Sequence, residues 1–149
     1  MTTSSPAATR VDPAEQPVKA SPSGLLTQYL AWRETGGTGL FVAQQWLGTG
    51  QRVFLHTHAV EEVLIFLAGS GTATLGEEEV PVGPGITLVV PAGIVHGFRN
   101  DAAATLHVLV VFPGDTFART DFVEPTPDQR HLQPANVLAA LPPFRADRP

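Results

Sequence analysis

The 149-residue chain contains no cysteine, and this absence limits how it can be stabilised and how it can bind a metal. Disulfide bonds are excluded, and any metal site must be built from histidine and carboxylate ligands. Basic residues are also few, with 9 lysines and arginines against 14 aspartates and glutamates. Such a chain lacks the basic surface that nucleic-acid binding requires, so we expect no nucleic-acid partner.

Long apolar segments are missing as well. No apolar run approaches the roughly 20 residues of a membrane-spanning helix, and the N-terminus lacks the basic-then-apolar pattern of a secretory signal. These two absences predict a cytoplasmic protein without membrane association. The sequence also contains no P-loop, no G-x-S-x-G, no H-E-x-x-H and no complete dinucleotide-binding glycine fingerprint.

Glycine and proline are abundant, with 14 of each. This composition favours many short strands joined by tight turns, and the length suits one domain. We predict a disordered leader over residues 1–24, an all-β domain over 25–114 and a polar, proline-rich tail over 115–149. The tail contains one possible short helix, Pro134–Leu141, with proline in its first turn. Segment Leu25–Arg33 fits either a helix face or a strand.

Alternating apolar residues predict the strands of the domain. Their predicted bounds are Leu40–Leu47, Gly50–Thr57, Glu62–Ala68, Thr72–Leu75, Glu79–Val82, Ile86–Val90, Val95–Arg99 and Leu106–Phe112. Strands of this length and spacing are typical of an all-β sandwich or barrel.

Three candidate metal ligands lie in the stretch Gly50–Gly69: His56, His58 and Glu62. Side chains two positions apart in a strand share a face, so these three have the same parity. Imidazole and carboxylate groups on an apolar face are costly unless something satisfies them, and a divalent transition metal does so. Glu61 has the opposite parity and is assigned to the outer face.

A second stretch, Gly85–Asn100, places His96 after a proline–glycine turn. Together the two stretches resemble the paired signature of the cupin superfamily, G-x5-H-x-H-x3-E-x6-G and G-x5-P-x-G-x2-H-x3-N. The fixed positions are filled by Gly50, His56, His58, Glu62, Gly69, Gly85, Pro91, Gly93, His96 and Asn100. The resemblance covers about fifty residues and is specific for the fold and the metal site, not for the reaction.

The resemblance implies a small double-stranded β-helix, which is a jelly-roll-like barrel, and it favours a strand at Leu25–Arg33. It also implies one divalent transition metal per chain, held by His56, His58, Glu62 and His96. The ligands leave iron, manganese, zinc, nickel and copper equally open. Four ligands of an octahedral cation leave two positions for a substrate or dioxygen. A homodimer is the expected assembly, with Val63, Ile65 and Leu67 on the face opposite the ligands.

Strand alternation predicts the residues that surround the metal. Arg52 and Phe54 share the parity of His56, and Leu64, Phe66 and Phe98 share the faces of the other ligands. They describe an apolar, aromatic-lined pocket for a small-molecule ligand or substrate. The alternative is that they only pack in the barrel core, with Arg52 extending to solvent.

Similar single-domain cupins include dioxygenases that act on enolisable substrates, so the resemblance implies a metal-dependent oxidoreductase that acts on an enolisable or carboxylate-bearing substrate. Glu62 would remain a ligand or act as the catalytic base. One alternative is a non-oxidative isomerase, cyclase, decarboxylase or lyase that uses the metal as a Lewis acid. Another is a module that binds a metal and a small ligand without catalysis.

Overall fold

Short strands joined by glycine and proline turns make up the part of the chain that the computed structural model describes, residues 7–21 and 24–126. The strands are β1 (Val18–Ala20), β2 (Leu26–Ala31), β3 (Leu40–Leu47), β4 (Arg52–Thr57), β5 (Glu62–Ala68), β6 (Gly71–Leu75), β7 (Glu78–Val82), β8 (Thr87–Val90), β9 (His96–Arg99), β10 (Leu106–Pro113) and β11 (Asp121–Phe122). Two single-turn 3-10 helices accompany them, at Pro13–Glu15 and Arg33–Thr35.

The strands form two antiparallel sheets. The first has the order β1-β2-β3-β10-β5-β8 and the second β11-β4-β9-β6-β7. From β3 onward the chain crosses repeatedly from one sheet to the other, so strands that are distant in sequence become neighbours. This is the jelly-roll-like arrangement of a small double-stranded β-helix, and the predicted fold class is confirmed.

The hydrophobic core lies between the inner faces of the two sheets. Strand β10 alternates buried and half-buried residues along its length, as expected of a strand with one face in the core. Phe41, Phe66 and Phe112 are fully buried and anchor this core. Segment 26–31, which fitted either a helix or a strand, is strand β2 and pairs with β3.

The predicted disordered leader is wrong for part of residues 1–24. Strand β1 pairs with β2, and Val18 is buried. The fully buried Gln28 also donates from Nε2 to the carbonyl oxygens of Pro13 (2.7 Å) and Gln16 (3.0 Å). The composition of the segment does not predict this docking, because the docking depends on a residue of the barrel. The buried side-chain amide of Gln28 needs hydrogen-bond acceptors, and the carbonyl oxygens of the N-terminal segment provide them.

The predicted tail boundary is also wrong, because residues 115–126 lie against the barrel. Strand β11 pairs with β4, matching Asp121 with Thr57 and Phe122 with His56. The predicted helix Pro134–Leu141 lies outside the described residues. Within the residues that the structure describes, no helix is long and apolar enough to span a membrane.

Candidate metal centre

The four predicted ligands come together, with Glu62 on the first sheet and His56 and His96 on the second. One ligand atom from each of His56, His58, Glu62 and His96 lies within 4.8 Å of the others. All four side chains are buried, with exposed fractions between 1% and 4%. A buried group of three imidazoles and one carboxylate is a donor set that binds divalent transition metals.

Three strands and two turns position these ligands. His56 lies opposite His96 in the β4–β9 pair, and Glu62 begins β5. His58 follows β4, and its carbonyl oxygen accepts a hydrogen bond from the amide of Gly93 at 2.9 Å. That bond joins the turn after β4 to the turn before β9, so the two sequence motifs meet in space.

The second ring nitrogen of each histidine fixes its tautomer. Nδ1 lies 2.5 Å from Phe54 O in His56, 2.8 Å from Arg119 O in His58 and 2.9 Å from Ile94 O in His96. A carbonyl oxygen only accepts hydrogen bonds, so Nδ1 carries the proton in each ring. Nε2 therefore faces the centre of the cluster, and such partners orient the imidazoles of metal sites.

The contact between two of these rings fits a bound cation. Nε2 of His56 lies 3.1 Å from Nε2 of His58. Because both rings donate from Nδ1, the two facing nitrogens of the neutral rings each present a lone pair and repel one another. A cation shared by the two nitrogens removes that repulsion, so the residues present fit a metal.

The pKa values of His56 and His96 are shifted in opposite directions. Burial, partly offset by the bond to Phe54 O and reinforced by the neighbouring imidazoles, lowers the pKa of His56 to about 4. Burial alone would lower the pKa of His96 too, but its hydrogen bond to Glu62 and the charge of that carboxylate outweigh burial and raise it. His56 is therefore neutral and ready to bind at neutral pH, whereas a metal must compete with a proton on His96.

Aromatic side chains enclose the ligand rings. Phe112 packs edge-on against His58 with ring centroids 4.7 Å apart, and Phe117 lies 6.4 Å from the same ring. Phe122 lies 5.7 Å from His56. Sequence reasoning missed all three. Phe117 and Phe122 were hidden by the polar composition of residues 115–126, although isolated aromatics in such a segment are a signal of docking.

Two predicted pocket residues, Arg52 and Phe54, do not share the face of His56. The β4–β9 register pairs Val53 with Phe98 and His56 with His96, so β4 contains one extra residue between them. This β-bulge reverses the alternation. Val53 packs on the core, while Arg52 is exposed and stacks over the Phe54 ring at 4.4 Å. Strict alternation therefore does not predict which face of β4 a residue occupies on the other side of the bulge.

The other predicted pocket residues, Leu64, Phe66 and Phe98, are buried in the hydrophobic core. Phe66 and Phe98 pack edge to face with centroids 5.5 Å apart. Glu61 is exposed, as its parity predicted. Asn100 is buried and donates to the carbonyl oxygens of Leu47 and Ala104, each at 2.8 Å, so it holds a turn rather than a ligand.

Comparison with known proteins agrees with this site. The family model described as Cupin domain matches residues 47–112, which include all four ligands. An uncharacterized protein of Streptomyces coelicolor is 33% identical over 94 residues, which are 63% of this chain and 84% of that protein. The chain belongs to the cupin family. Auxin-binding protein 4 of Zea mays is 38% identical over 77 residues, but the match spans only 38% of that protein.

Solved cupins share the fold at low sequence identity. The polyketide cyclase RemF from Streptomyces resistomycificus matches with a TM-score of 0.63 and 19% identity, over 93% of this chain and 98% of RemF. Oxalate decarboxylase from Bacillus subtilis, a protein with Mn(II) centres, matches with a TM-score of 0.67 and 20% identity, over 78% of this chain and 33% of that chain. At these identities the likeness establishes the fold alone.

Proposed function

We propose that this cupin is a metal-dependent enzyme that acts on a small, enolisable substrate, with an oxygen-dependent oxidation as the leading reaction. The observation that carries the proposal is the convergence of three imidazole Nε2 atoms and one carboxylate in a buried cluster, with each Nδ1 held by a carbonyl. Four protein ligands leave an octahedral cation with positions for a substrate, as catalytic rather than closed structural sites do.

Different residues of the site would bind the metal, transfer a proton and exclude water. A divalent cation held by His56, His58, Glu62 and His96 would supply a Lewis acid that favours the enolate of a substrate bearing two oxygens. Glu62 is the candidate base, because it is the one carboxylate among the four ligands and a carboxylate can accept a proton from the substrate. Phe112, Phe117 and Phe122 keep water from the ligand rings. Leu64, beside Glu62 on β5, would extend the apolar wall.

Two alternatives each have an observation in their favour. A non-oxidative reaction such as cyclisation or decarboxylation is favoured by the match to RemF, which covers nearly the whole of both chains. Binding without catalysis is favoured by the 38% identity to a protein named for auxin binding. Both use the same four ligands, so reactivity has to distinguish them.

The deciding experiment combines metal analysis with oxygen uptake. Protein purified without chelator is analysed for metals, and oxygen consumption is then followed with a panel of β-diketones and enediols. The proposal predicts uptake that is stoichiometric with product and absent in the His96→Ala variant. A conversion without uptake supports the cyclase-type reaction. Tight substrate binding without any product supports the binding module. Uptake equal in parent and His96→Ala means that the activity is not in this site.

We also propose that the protein is a homodimer. Leu67 and Val89 are 42% and 60% exposed on the outer face of the six-stranded sheet, beside the half-buried Val63 and Ile65. An apolar face of this kind favours association. Light scattering at micromolar concentration should give twice the chain mass, and replacing Val89 with lysine should give the monomer. A monomeric parent protein would contradict the proposal.

A further inference from the structure

The segment Asp115–Glu124, here called the strap, links the two sheets across the metal centre. At its start, the carbonyl oxygen of Asp115 accepts from the backbone amide of Arg33 at 2.8 Å, and the carboxylate pairs with the Arg33 guanidinium at 3.1 Å. At its end, the Glu124 carboxylate accepts from the amide of Leu55 at 2.9 Å and pairs with Arg52. The strap is therefore anchored at both ends.

The strap supplies one of the three imidazole partners. His56 and His96 donate to carbonyls two residues away, Phe54 O and Ile94 O, so their own strands fix their orientation. His58 instead donates to Arg119 O, 61 residues further along the chain. The orientation of His58 thus depends on whether the strap is docked, which is not true of the other two rings.

The edge of β4 that faces away from β9 provides the docking site for the end of the strap. Because of the extra residue, the ladder to β9 is interrupted between Val53 and His56. The strap forms hydrogen bonds with the backbone of Leu55. The amide of Leu55 donates to Glu124, and the carbonyl oxygen of Leu55 accepts from the amide of Val123 at 3.0 Å. The β-bulge in β4 supplies Phe54 O to His56. One carboxylate therefore connects the strap to the strand that carries His56.

Undocking of the strap has predictable consequences. Nδ1–H of His58 loses its acceptor, and Phe117 and Phe122 leave the rings of His58 and His56. Water then reaches two ligands that are otherwise buried. Because linkage is reciprocal, a metal that is held better by the docked form must also favour docking.

We propose that the strap controls retention of the metal and that Glu124 is the positioning residue that keeps it docked. This inference rests on the metal centre proposed above. Loss of an outer-shell partner of a metal ligand typically weakens metal binding about 10- to 100-fold. We expect an effect of that size when Glu124 is removed, although it lies outside the ligand set.

The test uses the full chain loaded with zinc alone. Zinc release is followed by its capture with an excess of a zinc-binding dye in parent, Glu124→Ala, Glu124→Gln and Glu79→Ala. Release should be roughly 10- to 100-fold faster in Glu124→Ala. Glu124→Gln should lie nearer the parent, since its amide oxygen can still accept from Leu55. Glu79→Ala is the control, because Glu79 is also a carboxylate paired with an arginine, Arg99, at 2.7 Å, but it is exposed and lies outside the strap.

A spectroscopic readout separates positioning from general destabilisation. In the Co(II)-loaded protein, Glu124→Ala should change the visible absorption bands, because His58 is no longer held in its orientation. Faster release with an unchanged cobalt spectrum would overturn the positioning role. Release and spectrum both equal to those of the parent would overturn the inference as a whole. If the parent itself binds neither zinc nor cobalt, the metal centre fails instead.

A measurement on the unmodified chain covers the case in which Glu124→Ala does not fold. Zinc should slow hydrogen exchange of the Val123 amide, because metal binding and strap docking favour each other. The control is the amide of Gln16, which donates to Pro13 O at 3.2 Å in the N-terminal segment and should change little. Equal exchange at Val123 with and without bound zinc would contradict the proposal.

Discussion

Gln28→Leu should destabilise the protein by about 3 kcal/mol without affecting its metal. Gln28 is fully buried and makes three hydrogen bonds: two from Nε2 to Pro13 O and Gln16 O, and one accepted by Oε1 from Gln44 at 2.7 Å. Leucine keeps most of the volume but makes none of them. At about 1 kcal/mol for each bond the loss is about 3 kcal/mol, and the buried Gln44 amide is left short of an acceptor.

Urea unfolding measures this loss, with Gln45→Leu as the matched control. Gln45 is a neighbouring, nearly buried glutamine whose amide makes one long bond, 3.3 Å to Thr27, so its replacement should cost less than about 1 kcal/mol. Metal content of Gln28→Leu should equal that of the parent, because Gln28 pairs with Gln44 on the face of the sheet opposite the core. Equal costs for the two variants would refute the reasoning that the N-terminal segment is docked through Gln28.

Two further predictions concern the ligands. Glu62→Ala should lower metal affinity less than loss of a histidine does, because water can replace one carboxylate. Glu61 is exposed, so Glu61→Ala should retain the parent's metal content. Equal loss of metal from Glu61→Ala and Glu62→Ala, measured by elemental analysis, would refute the assignment of these two side chains. Metal affinity, measured by titration at several pH values, should fall as the pH drops through the raised pKa of His96, which lies above its ordinary 6.5. A proton on that ring then blocks its Nε2. Protonation of His56, which has a pKa of about 4, lowers the affinity further only near pH 4. A metal affinity that stays unchanged between pH 8 and pH 5 would contradict this.

Much of the barrel follows from local patterns. The bounds of β3 and β5 were predicted to the residue, since alternation and glycine turns define them. Alternation predicted that His56, His58 and Glu62 share a face, and the resemblance to the cupin signature added His96, which the structure places opposite His56. These features depend on short stretches of sequence.

The remaining features depend on contacts between distant parts of the chain. The bulge in β4 moved Arg52 and Phe54 out of the predicted pocket, and one signal of it is Gly97 in the facing strand. A Cβ on Gly97 would lie 2.6 Å from Val53 O, so the bulged backbone needs glycine there. The docked N-terminal segment and the strap are polar by composition, and only buried partners such as Gln28 and His58 explain why they are ordered.

The most direct test of the account is the metal content of the parent protein and of His96→Ala, each purified without chelator and analysed for metals. The account predicts close to one divalent transition metal per chain in the parent. It predicts little or none in the variant, because His96 contacts Glu62 through Nε2 and completes the cluster. A parent without metal under metal-replete conditions, or His96→Ala with full occupancy, would contradict the four-ligand centre.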